Sequence, residues 1–126
     1  MPWLHISALA LACLPLAAWS LERYGVEVLD KRPQARDHFV QGLEFDRGQL
    51  YVSTGNYGES RLLRYDFDSG ELENLHRLDP RAFAEGLTVL GDTVYQLTWR
   101  NRTLLTYRRS DLTPAGTLPI SGEGWG

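Results

Sequence analysis

The chain has 126 residues, 43% hydrophobic and 23% charged, with a formal net charge of −3, values that suit about one small globular domain. Twelve arginines stand beside one lysine, Lys31, and the acids outnumber both together, a balance that argues against a dedicated nucleic-acid binder. The one cysteine is Cys13, so disulfides within the chain cannot be its staple.

The first twenty residues, MPWLHISALALACLPLAAWS, hold no acid, Lys or Arg and carry a short apolar core from Ile6 to Ala18. Small residues at Ala18 and Ser20 fit a secretory signal peptide cut before Leu21. The ALAC ending at Cys13 leaves a lipidated variant open. The stretch is broken by Pro15 and short for a transmembrane helix, so the expectation is export to the periplasm or beyond, with no stable membrane insertion after signal removal.

From Leu21 onward the sequence reads as short strands. Tyr24 to Asp30 alternates and is ended by Pro33. Strands are then predicted at about 41–45, 49–55, 61–67 and 73–79, with turns at DRG, GNYGES and DSGE. A second set follows at about 85–90, 93–99, 103–109 and 114–120, with turns at GD, RNR and SDLTP. Apolar and β-branched runs between Gly, Asn and Asp clusters are the signal.

The two sets are versions of one unit. FVQGLEF begins at Phe39, FAEGLTV at Phe83, and a third version, SGEGWG, begins at Ser121, so the anchor glycines Gly42, Gly86 and Gly124 are offset by 44 and then 38 residues. Tyr51 and Tyr95 keep the same offset of 44. Four antiparallel strands in a repeat of this length is the size of one β-propeller blade. The fold class is therefore all-β, a β-propeller of which residues 21–126 supply about two blades, at 41–79 and 85–120, and the start of a third at 121–126. Because VLDKRPQARDHFVQGL parallels HRLDPRAFAEGL, Tyr24 to Asp30 is expected to be a closing strand that completes the last blade of the ring. A ring closes with no fewer than about four blades, so the chain is expected to be the N-terminal fragment of a longer propeller, poorly folded and inactive when made alone.

The innermost strand of each blade lines the central channel, and the same point of it carries Gln41, Glu85 and Glu123, each followed by glycine. Convergence of three polar side chains on one axial pocket is the functional reading. The blander one is that a glutamate in a repeat caps a turn or faces water. Glu44, three residues beyond Gln41, should face the other way as a structural hydrogen-bonding group. Trp99 and Trp125 lie on strands near the axis; either alone suits packing between blades, and both together suit an aromatic mouth. A carboxyl group there has its pKa raised by desolvation. Arg100, Arg102, Arg108 and Arg109 read as a solvated face.

The motifs FVQGLEF, YVSTGNYGES, FAEGLTVLGDTVYQLTWR and GEGWG resemble those of the glutaminyl-peptide cyclotransferases of the plant and bacterial type, and the likeness runs from about Tyr24 to the last residue. The resemblance implies a five-bladed propeller that converts N-terminal glutamine of peptides or proteins to pyroglutamate with release of ammonia, without a metal or other cofactor. It also implies that Glu85 is the catalytic acid/base and that Gln41, Trp99, Glu123 and Trp125 form the substrate pocket. The chemistry suits one carboxyl group, which takes a proton from the attacking amine and returns it to the leaving amide nitrogen.

Other classes compete. A zinc-dependent cyclase would need ligands, and beyond the leader the chain offers only His38 and His76, without ligand spacing. A calcium-dependent lactonase would need more axial oxygen donors than the carboxylates in place. A non-catalytic exported propeller that binds peptides or partner proteins also fits, and ammonia release separates it from the enzyme.

Overall fold

The computed structural model describes residues 21–123. Eight strands occupy this span: β1 (Val40–Asp46), β2 (Gln49–Thr54), β3 (Arg61–Asp66), β4 (Leu72–Arg77), β5 (Phe83–Leu90), β6 (Thr93–Trp99), β7 (Thr103–Arg108) and β8 (Pro114–Pro119). They form two four-stranded sheets ordered β1-β2-β3-β4 and β5-β6-β7-β8, with every pair antiparallel. Each is a blade-type meander, and each strand begins and ends within two residues of the run read from the sequence.

Period-two patterning and turn chemistry explain why these segments pair in this register. Along β6, Val94, Gln96 and Thr98 are buried while Tyr95, Leu97 and Trp99 are only partly so, as alternating side chains on a pleated strand must be. Between β1 and β2, Arg47 and Gly48 both take positive φ, 49° and 79°, which is the mirror-image turn that matches strand twist. Between β5 and β6 only Gly91 of the two linking residues does so, at 60°, as the related turn with glycine first requires. The outermost strand β8 is exposed throughout and carries Pro114 and Pro119 at its ends, where a missing N–H is tolerated on an edge.

The two blades pack face to face. Tyr51 and Leu62 from the first meet Val94, Tyr107 and Leu112 from the second, with Leu87, Val89 and Leu105 against them. A chain of hydrogen bonds runs through this interface. The Tyr107 hydroxyl donates to Gln96 Oε1 at 2.9 Å, and Gln96 Nε2 donates to Ser53 Oγ at 2.8 Å and to the Arg61 carbonyl at 3.3 Å. Burial pushes the Tyr107 phenol well above its ordinary pKa, which keeps it a donor at any physiological pH. The far face of the second blade is an apolar groove of about 490 Å³ lined by Leu87, Leu90, Tyr95, Leu97 and Leu104. In a propeller such a face lies against the next blade.

The backbones of the two blades come close at the recurring glycine. A Cβ on Gly42 would stand 2.9 Å from the Leu87 nitrogen and 3.1 Å from Gly86 Cα. Backbone cannot step aside as a side chain can, so glycine is required where β1 and β5 converge. Gly42→Ala is expected to cost about 2 kcal/mol of stability, in the range of overpacking in a filled core. Urea unfolding would show it as a lowered midpoint with an unchanged slope, and an unchanged midpoint would contradict it.

Tyr24 to Asp30 joins no ladder: residues 21–35 contain no strand, and Tyr24, Val26, Val28 and Leu29 are exposed. A strand is held by its partner, and the partner expected for this one belongs to a last blade that is not among the two sheets here. Residues 33–123 fall in one compact unit, and residues 21–32 lie outside it. The signal peptide expected at 1–20 lies outside the described residues.

Candidate active site

Gln41 and Glu85 both sit on β-bulges. In the β1–β2 ladder Val40 faces Thr54 and Gly42 faces Ser53, so Gln41 is the extra residue. In the β5–β6 ladder Ala84 faces Thr98 and Leu87 faces Gln96, so Glu85 and Gly86 together oppose Leu97. A bulge re-aims the side chain it carries. Since Gly42 lies against Gly86, the two bulges are level with one another, and Gln41 and Glu85 hold equivalent places on neighbouring inner strands.

The aromatic mouth is built mainly from residues other than those expected. Phe83, first in β5, is at its centre: its ring meets Trp99 edge-on at 5.4 Å and 69°, Tyr57 at 5.5 Å and 72°, and Phe39 at 6.3 Å and 85°. These are the T-shaped geometries that the ring quadrupole favours. Gly55 lets the cluster close, because a Cβ there would fall 2.5 Å from the Phe83 ring and 3.0 Å from Gln41 Cγ. Gln41, Gly55, Phe83 and Trp99 are thus contiguous. Sequence reasoning passed over Phe39, Phe83 and Tyr57, although the two phenylalanines recur at the same offset as the motif glycines and could have been found by that repeat.

Glu85 is half-buried, and among the described residues its carboxyl group has no hydrogen-bond or ion-pair partner. Burial alone raises its pKa above the ordinary value of 4.5, because a desolvated carboxyl favours the neutral form. Glu44 differs. Its Oε1 accepts the Val89 N–H at 3.0 Å, which clamps β1 to β5, so the structural reading holds for that residue. Glu123 lies in an exposed bend outside any ladder. Trp125 lies outside the described residues, as does the second half of the third motif.

The arginines do not form one solvated face. Arg109 is half-buried, pairs with Asp46 at 2.5 Å, and its Nε donates to the Tyr51 hydroxyl at 3.4 Å. Arg64 reaches across the blades to the carbonyls of Arg109 and Ser110. Arg100 lies instead over the Trp99 ring, with Cζ 4.2 Å from its centroid. His76 is on β4, stacked edge-on against Tyr107 at 5.2 Å, and burial lowers its pKa; His38 lies in the loop before β1. Among the described residues no group of three or more His, Cys, Asp or Glu side chains is arranged to hold a metal ion, and no helix is long and apolar enough to cross a membrane.

Two four-stranded antiparallel meanders, with a half-buried carboxyl group on a repeated bulge and an aromatic cluster at the start of the same strand, place the chain in the β-propeller class. The chain belongs to the glutamine cyclotransferase family, whose profile matches residues 5–126. It is 35% identical over 103 residues to the glutaminyl-peptide cyclotransferase of Arabidopsis thaliana, an overlap of 80% of this chain and 32% of that protein. It also resembles the crystal structure of Myxococcus xanthus glutaminyl cyclase at 34% identity and a TM-score of 0.68, covering 79% of this chain and 42% of that one. The chain therefore spans less than half the length of either relative.

Proposed function

We propose that the protein to which this chain belongs cyclises the N-terminal glutamine of peptides or proteins to pyroglutamate, with Glu85 as the proton shuttle. The observation that carries the reading is the state of Glu85: a half-buried carboxyl group with no hydrogen-bond or ion-pair partner among the described residues, its pKa raised by burial. A structural carboxylate such as Glu44 is spoken for; a proton-transfer group must be free to change partners.

The reaction is a balanced exchange. The neutral α-amine of the substrate attacks the carbon of its own γ-carboxamide and forms the ring C–N bond. Glu85, ionised at the outset, accepts the proton that the amine loses. It then returns that proton to the carboxamide nitrogen, which departs as ammonia as its C–N bond breaks, and Glu85 is again ionised. A raised pKa suits both halves, because the group must be a usable acid as well as a base near neutral pH. The aromatic rings of Phe83, Trp99 and Tyr57 would hold the glutamine side chain folded towards its own amine, which replaces a floppy search by a near-attack geometry. Gln41, stem against Gly55, offers an amide to the substrate carboxamide.

Ammonia release from a Gln-initiated peptide, with the matching mass loss in the peptide, tests the reading; binding without ammonia would move the protein to the non-catalytic class. Two further outcomes are expected. The acid limb of kcat/KM against pH should lie above 4.5, the ordinary glutamate value from which burial raises Glu85, because activity needs the carboxylate and the buried site holds its proton to higher pH. A limb at or below that value would contradict it. Turnover should also be unaffected by EDTA or a heterocyclic chelator, and a loss restored by added zinc would contradict metal independence. Export through residues 1–20 belongs to the same proposal, and N-terminal sequencing of the secreted protein beginning at Leu21 would support it.

A further inference from the structure

The loop after β6 places a cation at the rim of the aromatic mouth. Arg100 is exposed, and its guanidinium stacks on the Trp99 ring. Its backbone is in the left-handed region, at a φ of 62°, and Arg102 follows at 52°. Three bonds secure this turn: Asn101 N donates to the Trp99 carbonyl at 2.8 Å, Ile120 N to the Arg102 carbonyl at 3.0 Å, and Asn101 Nδ2 to the Arg81 carbonyl at 3.2 Å. Two carboxylates of the neighbouring loops are committed elsewhere. Asp79 takes both forks of Arg81, at 2.9 and 2.8 Å, and Asp37 takes Arg61 at 3.1 Å. Among the described residues Arg100 has no carboxylate partner.

We propose that Arg100 is a specificity determinant that favours peptides bearing an acidic side chain one or two positions after the N-terminal glutamine. The inference rests on the cyclase reading and on Trp99 flanking the bound glutamine. With the glutamine seated among the rings, the rest of the peptide must leave across the rim, and each residue advances the chain by about 3.5 Å. A guanidinium stacked by its face keeps its N–H edges free, and those edges match a carboxylate bidentately. Stacking on Trp99 holds the fork in place, so less freedom is lost when a carboxylate binds.

The test is a competition on the full-length natural protein between peptides that differ only in glutamate, alanine or lysine after the N-terminal Gln. An exposed charge pair supports a preference of about threefold to fivefold for glutamate over lysine, expressed in KM rather than kcat, and shrinking as salt is raised. Arg100→Asn should bring the glutamate-to-lysine ratio close to one, and Arg100→Glu should invert it. Asparagine is the apt replacement because Asn56, at the same place in the first blade, is itself left-handed at a φ of 80°. A wild-type ratio near one, or a preference that is insensitive to salt, would overturn the proposal even if no variant folds. Equal turnover of all three peptides leaves the cyclase reading standing and removes this inference; failure to turn over any of them removes both.

Discussion

Glu85→Gln is expected to slow pyroglutamate formation by at least about 10²-fold, the scale of a lost general acid–base group, without loss of the fold. The amide keeps the shape of the side chain but cannot carry the proton from amine to leaving nitrogen. The stability arm of the prediction has a definite sign. Burial raises the folded-state pKa of Glu85 above its unfolded value, so the folded protein binds the proton more tightly. Stability therefore declines as pH rises from the unfolded pKa through the folded one, and above that window the ionised side chain is a net cost. Removing the charge should leave the melting temperature at neutral pH unchanged or raised. Loss of activity with undiminished stability is the pattern of a residue kept for chemistry. Turnover near the wild-type rate would remove Glu85 from the mechanism; inactivity accompanied by a lowered melting temperature would assign it a structural role.

Gln96→Leu should be the most damaging single change between the blades. Its side chain is fully buried, and among the described residues it alone satisfies the Tyr107 hydroxyl, while also donating to Ser53 Oγ and the Arg61 carbonyl. Leucine fills a similar space and leaves three polar groups sealed from water. Orphaned buried groups cost about 1–3 kcal/mol apiece, relieved in part by relaxation, so a total of about 3 kcal/mol is expected. Adding Tyr107→Phe to Gln96→Leu should recover part of the loss, because it removes one of the orphans together with its unmet demand. Chemical denaturation of the two variants measures this, and a double variant no more stable than Gln96→Leu would contradict the account.

The same two residues show what sequence can and cannot convey. The repeat made the blades legible, since turn residues such as Arg47-Gly48 and Gly91-Asp92 punctuate alternating runs and the 44-residue offset between Gly42 and Gly86 excludes coincidence. It marked Gln41 and Glu85 for the same reason. The bulges were not legible, because an extra residue in a ladder depends on the partner strand and leaves no local signature. Nor was the role of Gln96, which reads in TVYQLTW as an interruption of an apolar run; its meaning comes from Ser53, Arg61 and Tyr107, residues remote in sequence. Arg109 reads in the sequence as a solvated side chain, because Asp46 and Tyr51 approach it only when the blades stack. Tyr24 to Asp30 patterns as a strand, yet pattern alone cannot supply the neighbour that would hold it.

The account turns on intramolecular attack assisted by Glu85, and isotopic labelling resolves it most directly. A peptide whose N-terminal glutamine carries labelled nitrogen in the side-chain amide is incubated with the full-length protein, and both products are analysed by mass. The account predicts that all the label leaves as ammonia, that the peptide becomes a pyroglutamyl product with no water added, and that Glu85→Gln abolishes both. Label released with formation of an open-chain glutamyl peptide would show water as the nucleophile and would contradict cyclisation at this site.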